Sequence, residues 1–376
     1  MPSSHADQTE LPDRDAGTAK TDAVDTVRPG SAPESRPSGL RRLLGRARMF
    51  VRRVMLFDRK RVAGFVAQSA ARSRAPRWWI LLDMIWCSIR YETTFENYCE
   101  WDFFLLKRRE RRTYMTDPLS FRLTRRFNDA SQRGIFDDKR QFAGRFSEEL
   151  GREWIDLQQT DVAALTDFVR RFDRVIAKNP LGVGGQGITL RDTAEIADVE
   201  AFREELLASG QTLLEEVLEQ HEDLARLHPQ SLNTLRVVTY LAPGGEVHRL
   251  AGVLKIGNGG FVDNFSNGGM YTMLDANGRV LHAAVDEEGR AYETHPRTGV
   301  PITGFQVPMY PEVIDLVERL AHRVPALPYI GWDIAITPSG PVVIEGNHNT
   351  GVFQSKPSAS GIRRGLLPEY RAAMGF

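Results

Sequence analysis

Cysteine is nearly missing from this chain of 376 residues: Cys87 and Cys99 are the two it has. So few cysteines exclude a disulfide scaffold and a cysteine-based zinc site, and a reducing cytoplasm suits them. Net charge is missing too, since 49 Lys and Arg offset 49 Asp and Glu. Overall charge therefore points to no partner, and only its distribution can. No apolar run approaches the roughly 20 residues that span a bilayer. The nearest, Trp78 to Ile89, is short and broken by Asp83. The first residues lack the basic-then-apolar order of a signal peptide. The chain has no internal repeat, no Ser-His-Asp or Cys-His nucleophile constellation, and no zinc or aromatic–basic signature of nucleic-acid recognition.

What is present changes in style along the chain. Residues 1–39 are rich in Ser, Pro, Asp, Thr and Ala with almost no large apolar side chains. Such a segment buries too little surface to offset its ordering entropy, so a disordered tail is expected. Residues 40–61 carry nine Arg or Lys against Asp58, with Leu40, Leu43, Leu44, Ala47, Phe50, Val51, Val54 and Phe57 at helical spacing. A basic amphipathic helix of this kind can lie on an anionic membrane surface, or it can dock its apolar side on the protein body. From Arg77 to Phe127 the chain reads helical and aromatic, including Trp78, Trp79, Trp86, Tyr98, Trp101 and Phe103. These aromatics are expected in the core of a helical subdomain, with both cysteines as buried thiols. Residues 40–130 thus read as a helical N-terminal region and 131–376 as an α+β domain with a largely antiparallel sheet.

The most informative stretch runs from Tyr329 to Thr350. Two β-branched runs flank Pro338-Ser339-Gly340-Pro341, a hairpin signal. A turn centred on Ser339 sets Asp333 opposite Glu345, and Asn347 then shares the face of Glu345. Directly opposed carboxylates repel unless something positive lies between them, and a hard divalent cation such as Mg²⁺ suits two carboxylates and an amide oxygen. An exposed hairpin face with ordinary charges fits the same spacing.

Gly182-x-Gly184-x-x-Gly187 formally matches a dinucleotide fingerprint, but Ile188-Thr189-Leu190 after it is strand-like, whereas that motif opens a helix. No Gly-Lys-Ser/Thr follows, so it is not a Walker A loop either. A glycine-rich loop between two antiparallel strands remains, with Lys178 at the end of the first. Backbone N–H groups and a lysine there suit a phosphate. Leu213-Leu214-Glu215-Glu216-Val217-Leu218 reads as a strand ending in acids that could meet an adenine. Arg236 opens a strand and Lys255 ends another, ahead of a second polar glycine loop, Gly257 to Gly269. Each of these two cations is equally read as a ligand-gripping group or as a structural ion-pair partner.

Asp138-Lys139, the loop from Lys178 to Gly187, Glu215-Glu216, Ser231-Leu-Asn-Thr-Leu-Arg236, Asp263-Asn264-Phe-Ser-Asn-Gly-Gly269, Gly331-Trp-Asp333 and Glu345-Gly-Asn347 occur in that order. Together they resemble the ATP-grasp superfamily, most nearly its sugar-transfer-associated, alpha-L-glutamate ligase-related branch. The resemblance runs from roughly Tyr98 to the C-terminus and leaves out the tail and the basic helix. It implies two α+β lobes clasping ATP. It implies that Lys139 and Lys178 hold phosphates, that the loop with Gly184, Gly185, Gln186 and Gly187 acts as a lid, and that Glu215, Glu216, Val217 and Leu218 meet adenine. Asp333, Glu345 and Asn347 would hold two Mg²⁺ (or Mn²⁺) ions, with Arg236, Lys255 and Asn264 on the catalytic side. Lys255 stands where many members carry arginine, and Glu219 and Glu222 are both candidates for the ribose.

The activity so implied is ADP-forming ligation. A carboxylate is activated as an acyl phosphate and attacked by an amine or similar nucleophile, on small or glycan-linked substrates. A role in cell-surface polysaccharide synthesis follows from the branch name alone. A kinase on the same scaffold, or a non-catalytic nucleotide-binding assembly protein at the inner membrane face, is the alternative.

Overall fold

The computed structural model describes residues 59–182, 184, 187–259 and 268–376. The expected tail, all but the last three residues of the 40–61 segment, and Gly185, Gln186 and Asn264 lie outside the described residues.

Helices come first: α1 (Arg59–Ser73), α2 (Arg77–Tyr91), α3 (Phe95–Glu100), α4 (Arg108–Arg111), α5 (Asp117–Phe127) and α6 (Lys139–Arg145). Two antiparallel sheets follow, so the expected α+β class is the one adopted. The smaller sheet has the order β1-β4-β2-β3, from β1 (Trp154–Asp156), β2 (Arg174–Lys178), β3 (Ile188–Asp192) and β4 (Leu213–Glu216). Helices α7 (Val162–Arg171) and α8 (Val199–Ala208) cover one side of it, burying Val175, Ala177 and Leu214 with Leu165, Phe168 and Leu206. Side chains alternate along a strand. Ile176, Lys178 and Glu215 therefore point to the other side.

The larger sheet has the order β11-β10-β5-β6-β7-β8-β9. Its long strands are β5 (Leu235–Leu241), β6 (Val247–Ile256), β10 (Tyr329–Thr337) and β11 (Gly340–Asn347); β7 (Met270–Met273), β8 (Ala284–Asp286) and β9 (Ala291–Tyr292) are short. Every residue of β5 and β10 is buried, because both faces of the sheet are covered. On one face α9 (Glu222–Leu227), α10 (Tyr310–Arg323) and α6 pack against Leu235, Val237, Trp332, Ile334 and Ile336. On the other, the N-terminal helices and α11 (Leu367–Met374) pack against Val238, Tyr240 and Tyr329. Arg236 and Asp333 share that second face.

The hairpin carries a correction to its expected turn. Thr337 pairs with Gly340 and Ile334 with Val343, which makes Pro338-Ser339 a two-residue turn rather than one centred on Ser339. Continued unbroken, that register would set Asp333 opposite Ile344. A β-bulge at Ile344 restores Asp333 opposite Glu345.

The aromatic helical stretch is corrected as well. Tyr98, Trp101 and Phe103 are core, and both cysteines are buried free thiols. Trp78, Trp79 and Trp86 are instead exposed. A helix with two apolar sides buries only one of them against the body it packs on.

Candidate nucleotide and metal site

The smaller sheet, the segment after β4 and the bulged edge of the larger sheet enclose a cavity of about 650 Å³. Lys178, Ile176, Ile188 and Leu190 line it from β2 and β3, and Glu215 through Gln220 line it from β4 onward. Thr234, just before β5, and Ile344 of β11 line it from the side of the larger sheet. Of the expected adenine and phosphate residues, Lys178, Glu215, Glu216, Val217 and Leu218 are thus brought together. Glu219 lines the cavity too; Glu222, the first residue of α9, is not among its lining.

Glu215 is clamped by two cations. Lys178 Nζ donates to Oε2 at 2.5 Å, and Arg152 Nε donates to the same oxygen at 2.7 Å. Burial alone would raise the Glu215 pKa, but Arg152 and Lys178 outweigh it and hold the carboxyl at about 2. Burial pushes the Lys178 ammonium down, with Arg152 adding to the effect, while Glu215 and Glu345 oppose it. Glu345 is therefore within electrostatic reach of Lys178, which joins the cavity to the hairpin.

Sequence reasoning missed Arg152. Its Nη1 donates to Val343 O at 3.0 Å and its Nη2 to Ile344 O at 3.3 Å. These carbonyls belong to the bulge, where the strand ladder is interrupted. One guanidinium thus grips Glu215 on the smaller sheet and the bulge on the larger. An isolated arginine in Gly-Arg-Glu carries no local pattern that would have marked it.

The glycine loop joins β2 to β3, with Lys178 paired to Ile188, so it is the antiparallel connection expected rather than a strand-to-helix motif. Asn179 N donates to Gly187 O at 3.1 Å, closing the loop neck. Gly184 and Gly187 have φ of +65° and +70°, conformations that favour glycine. Lys139 Nζ donates to the carbonyl of Gly182, so this lysine tethers the loop base.

On the larger sheet, Glu345, Asp333 and Arg236 form one row across β11, β10 and β5. Arg236 forks onto Asp333, Nε to Oδ1 at 2.5 Å and Nη2 to Oδ2 at 2.7 Å. Lys255 Nζ lies 3.0 Å from Oδ1 and 3.1 Å from Oδ2. Burial would raise the Asp333 pKa, but the two cations hold it far below the usual carboxylate range. Gly331 keeps the approach open, since a Cβ there would lie 3.1 Å from Arg236 Cδ and 3.2 Å from Thr350 O. His348 does not join the row; its Nε2 pairs with Asp137 at 2.8 Å.

The residues present fit a hard divalent cation. Asn347 lies beside Glu345, with its Nδ2 3.3 Å from Oε1, and Asp333 is directly across from Glu345. Two carboxylates and an amide oxygen on one face are the donors Mg²⁺ takes. Because Arg236 and Lys255 neutralise Asp333, Glu345 is the row's less compensated negative group. Among the described residues no group of three or more His, Cys, Asp or Glu is placed to hold a metal ion, so this donor set consists of two carboxylates and an amide.

Residues 119–365 match the family described as sugar-transfer associated ATP-grasp, more than half of the chain. No curated protein matches. Among solved structures, the chain is similar to the ATP-grasp ligase PsnB in complex with its minimal precursor, at 17% identity over 75% of this chain and 76% of that one, with a TM-score of 0.39. It is similar to the ADP complex of purK, N5-carboxyaminoimidazole ribonucleotide synthetase, at 11% identity over 63% of this chain and a TM-score of 0.36. That match spans 52% of the purK chain, about half its length. The D-alanyl-alanine synthetase A of Vibrio cholerae O1 biovar eltor is similar at 12% identity, over 62% of this chain and 60% of that one, with a TM-score of 0.35. ATP and Mg²⁺ or Mn²⁺ are the cofactors of an ATP-grasp family. The chain belongs to the sugar-transfer associated ATP-grasp family.

Proposed function

We propose that this protein is an ADP-forming ligase that joins a carboxylate to an amine or similar nucleophile. ATP with Mg²⁺ supplies the phosphoryl group that turns the carboxylate into an acyl phosphate; the nucleophile then forms the new bond and inorganic phosphate leaves. The chain's own residues bind, orient and neutralise. Val217 and Leu218 offer the cavity an apolar edge and backbone groups for adenine, and Glu219 is the better placed acid for the ribose. Lys178 supplies cationic charge to the phosphates, while Lys139 holds the base of the glycine loop. Glu345, Asn347 and Asp333 hold the metal. Arg236 and Lys255 sit beside them, where charge on a transferring phosphoryl group or a substrate carboxylate is stabilised electrostatically.

The observation that carries this reading is the juxtaposition of the cavity with the Glu345 row, with Glu345 acting on Lys178. Nucleotide and metal then meet in one place. A glycan-linked substrate, a part in cell-surface polysaccharide synthesis, a cytoplasmic location, and peripheral membrane contact through residues 40–61 belong to the same proposal. The first two rest on the family's description.

Calorimetric titration of Mg·ATP into the wild type and Glu345→Gln tests the site. Binding that requires Mg²⁺ and weakens at least tenfold in the variant is expected, since an acid that holds the metal is lost. Equal affinity in the two proteins would refute the metal assignment. ADP release with a stable phosphorylated acceptor and no new amide would replace the ligase with a kinase.

A further inference from the structure

Helix α2 has two apolar sides. Ile80, Met84 and Cys87 face inward and are fully buried. At about 100° per residue, Leu81, Trp78, Leu82, Trp86 and Trp79 spread over an arc of about 160° on the opposite side. All five are exposed, at 36%, 65%, 57%, 55% and 44% respectively. Half of the six tryptophans of the chain are therefore presented to solvent by one helix. Scattered exposed apolar residues need no explanation, but a contiguous patch of this kind does.

The rim of the patch is cationic. Arg77 and Arg90 border the arc on its two sides. Asp83, the acid of α2, is taken by Arg111, whose Nη1 and Nη2 donate to its two oxygens at 2.8 and 2.7 Å. That fork fastens α4 against α2 and brings its basic run alongside, with Lys107, Arg108, Arg109 and Arg112 all exposed. Arg74, just before α2, is exposed as well.

We infer that this face seats α2 on an anionic lipid surface, with the tryptophans at the boundary between headgroups and acyl chains and the arginines among the headgroups. Tryptophan is the side chain enriched at that depth, and a cationic rim beside an apolar face suits anionic lipid. No described helix is long and apolar enough to cross a membrane, so the helix would lie on the surface. A second copy seated face to face would bring two arginine rims together. Anionic headgroups would compensate the rim. The inference rests on residues outside the cavity, and it stands if the ligase reading fails.

The test is flotation of the full chain with vesicles of phosphatidylcholine alone and of phosphatidylcholine mixed with phosphatidylglycerol. Binding to the anionic vesicles, weakened by salt, is expected, with quenching of tryptophan emission by bromine-labelled acyl chains. The triple variant Trp78→Ser, Leu82→Ser, Trp86→Ser should bind at least tenfold more weakly with an unchanged melting curve, and so should Lys107→Glu, Arg108→Glu, Arg109→Glu. The second set, on exposed side chains, keeps the test sound if the first fails to fold. No flotation, or flotation untouched by both sets, would overturn the inference, the latter by assigning binding to residues 40–57. A lipid-free dimer that the triple variant dissolves, seen by sedimentation, would overturn it in favour of a second copy.

Discussion

Glu215 and Asp333 are two versions of one device. Each is a buried carboxylate held by one arginine and one lysine, Arg152 with Lys178 and Arg236 with Lys255. Each cluster carries a net positive charge, which suits a polyanionic ligand. They differ in what the arginine also holds. Arg152 reaches the bulge carbonyls of the other sheet, whereas Arg236 Nη1 donates to Thr350 O at 3.1 Å on its own side. They differ in surroundings as well: Glu215 lines the cavity, and Asp333 sits in a row of its sheet beside Glu345. The first cluster joins two structural units around a ligand space; the second fixes one surface on which a metal and a substrate can be arranged.

Removing either acid gives the largest expected effect. Asp333→Ala and Glu215→Ala each leave two buried cations without a counter-charge, at a cost of about 3–5 kcal/mol in urea unfolding. Saturating Mg·ATP should recover part of the loss in Glu215→Ala and little in Asp333→Ala. Equal recovery would erase the distinction between ligand-facing and sheet-bound clusters.

Arg152→Ala comes next, at about 2–3 kcal/mol, because Glu215 loses its fork and two bulge carbonyls lose a donor. Arg152→Lys restores the charge but not the planar fork. It should recover the pairing with Glu215 and still weaken Mg·ATP binding, measured by calorimetry. Full recovery would mean that charge alone matters and that the bridge between sheets is incidental.

The pH dependence sharpens the contrast with a third carboxyl. Glu215 is held at about 2 against an ordinary 4.5, so its stabilisation is present above pH 4.5 and lost as pH falls toward 2. Glu100 runs the other way. Burial, with Asp117 and Glu96 nearby, pushes it up to about 8, although Lys356 and the Tyr271 hydroxyl oppose the shift. Its contribution is full below pH 4.5 and lost as pH rises through about 8. Thermal melts should therefore show Glu100→Gln flattening the decline on the alkaline side and leaving the acid side alone. The smallest effect is expected from Lys255→Arg, within about 1 kcal/mol, since the charge beside Asp333 is kept.

Much of this was legible in the sequence, for identifiable reasons. The strands ending near Lys178 and Lys255 and the one opening near Arg236 were legible because β-branched and leucine runs stop at polar or glycine residues. The antiparallel nature of the glycine loop followed from Ile188-Thr189-Leu190 after it. The opposition of Asp333 and Glu345 was foreseen through a wrongly centred turn that the Ile344 bulge compensated. No local pattern announces a bulge, because it is set by neighbours such as Arg152 that are distant in sequence. The tryptophans of α2 misled for a related reason: spacing reports which side chains share a side of a helix, not whether anything covers it. The ion pairing of Arg236 and Lys255 was one of two open readings, and both lysine and arginine converge on Asp333 in the folded chain.

The bulge at Ile344 also acts as a parity counter for the hairpin. Between the turn and the row of Glu345 and Asp333, the two strands differ in length by one residue, and the bulge absorbs that odd residue at Ile344 so that Glu345 still meets Asp333. A two-residue extension at Pro338-Ser339 would lengthen the tip and leave the row intact. Deleting Ile344 would leave an unbroken ladder with Glu345 still opposite Asp333, whereas a slip of one residue in the pairing would turn the acid and the amide toward the packed core. Insertional tagging of this protein is therefore best placed at Pro338-Ser339, where added residues lengthen the loop outside the paired ladder.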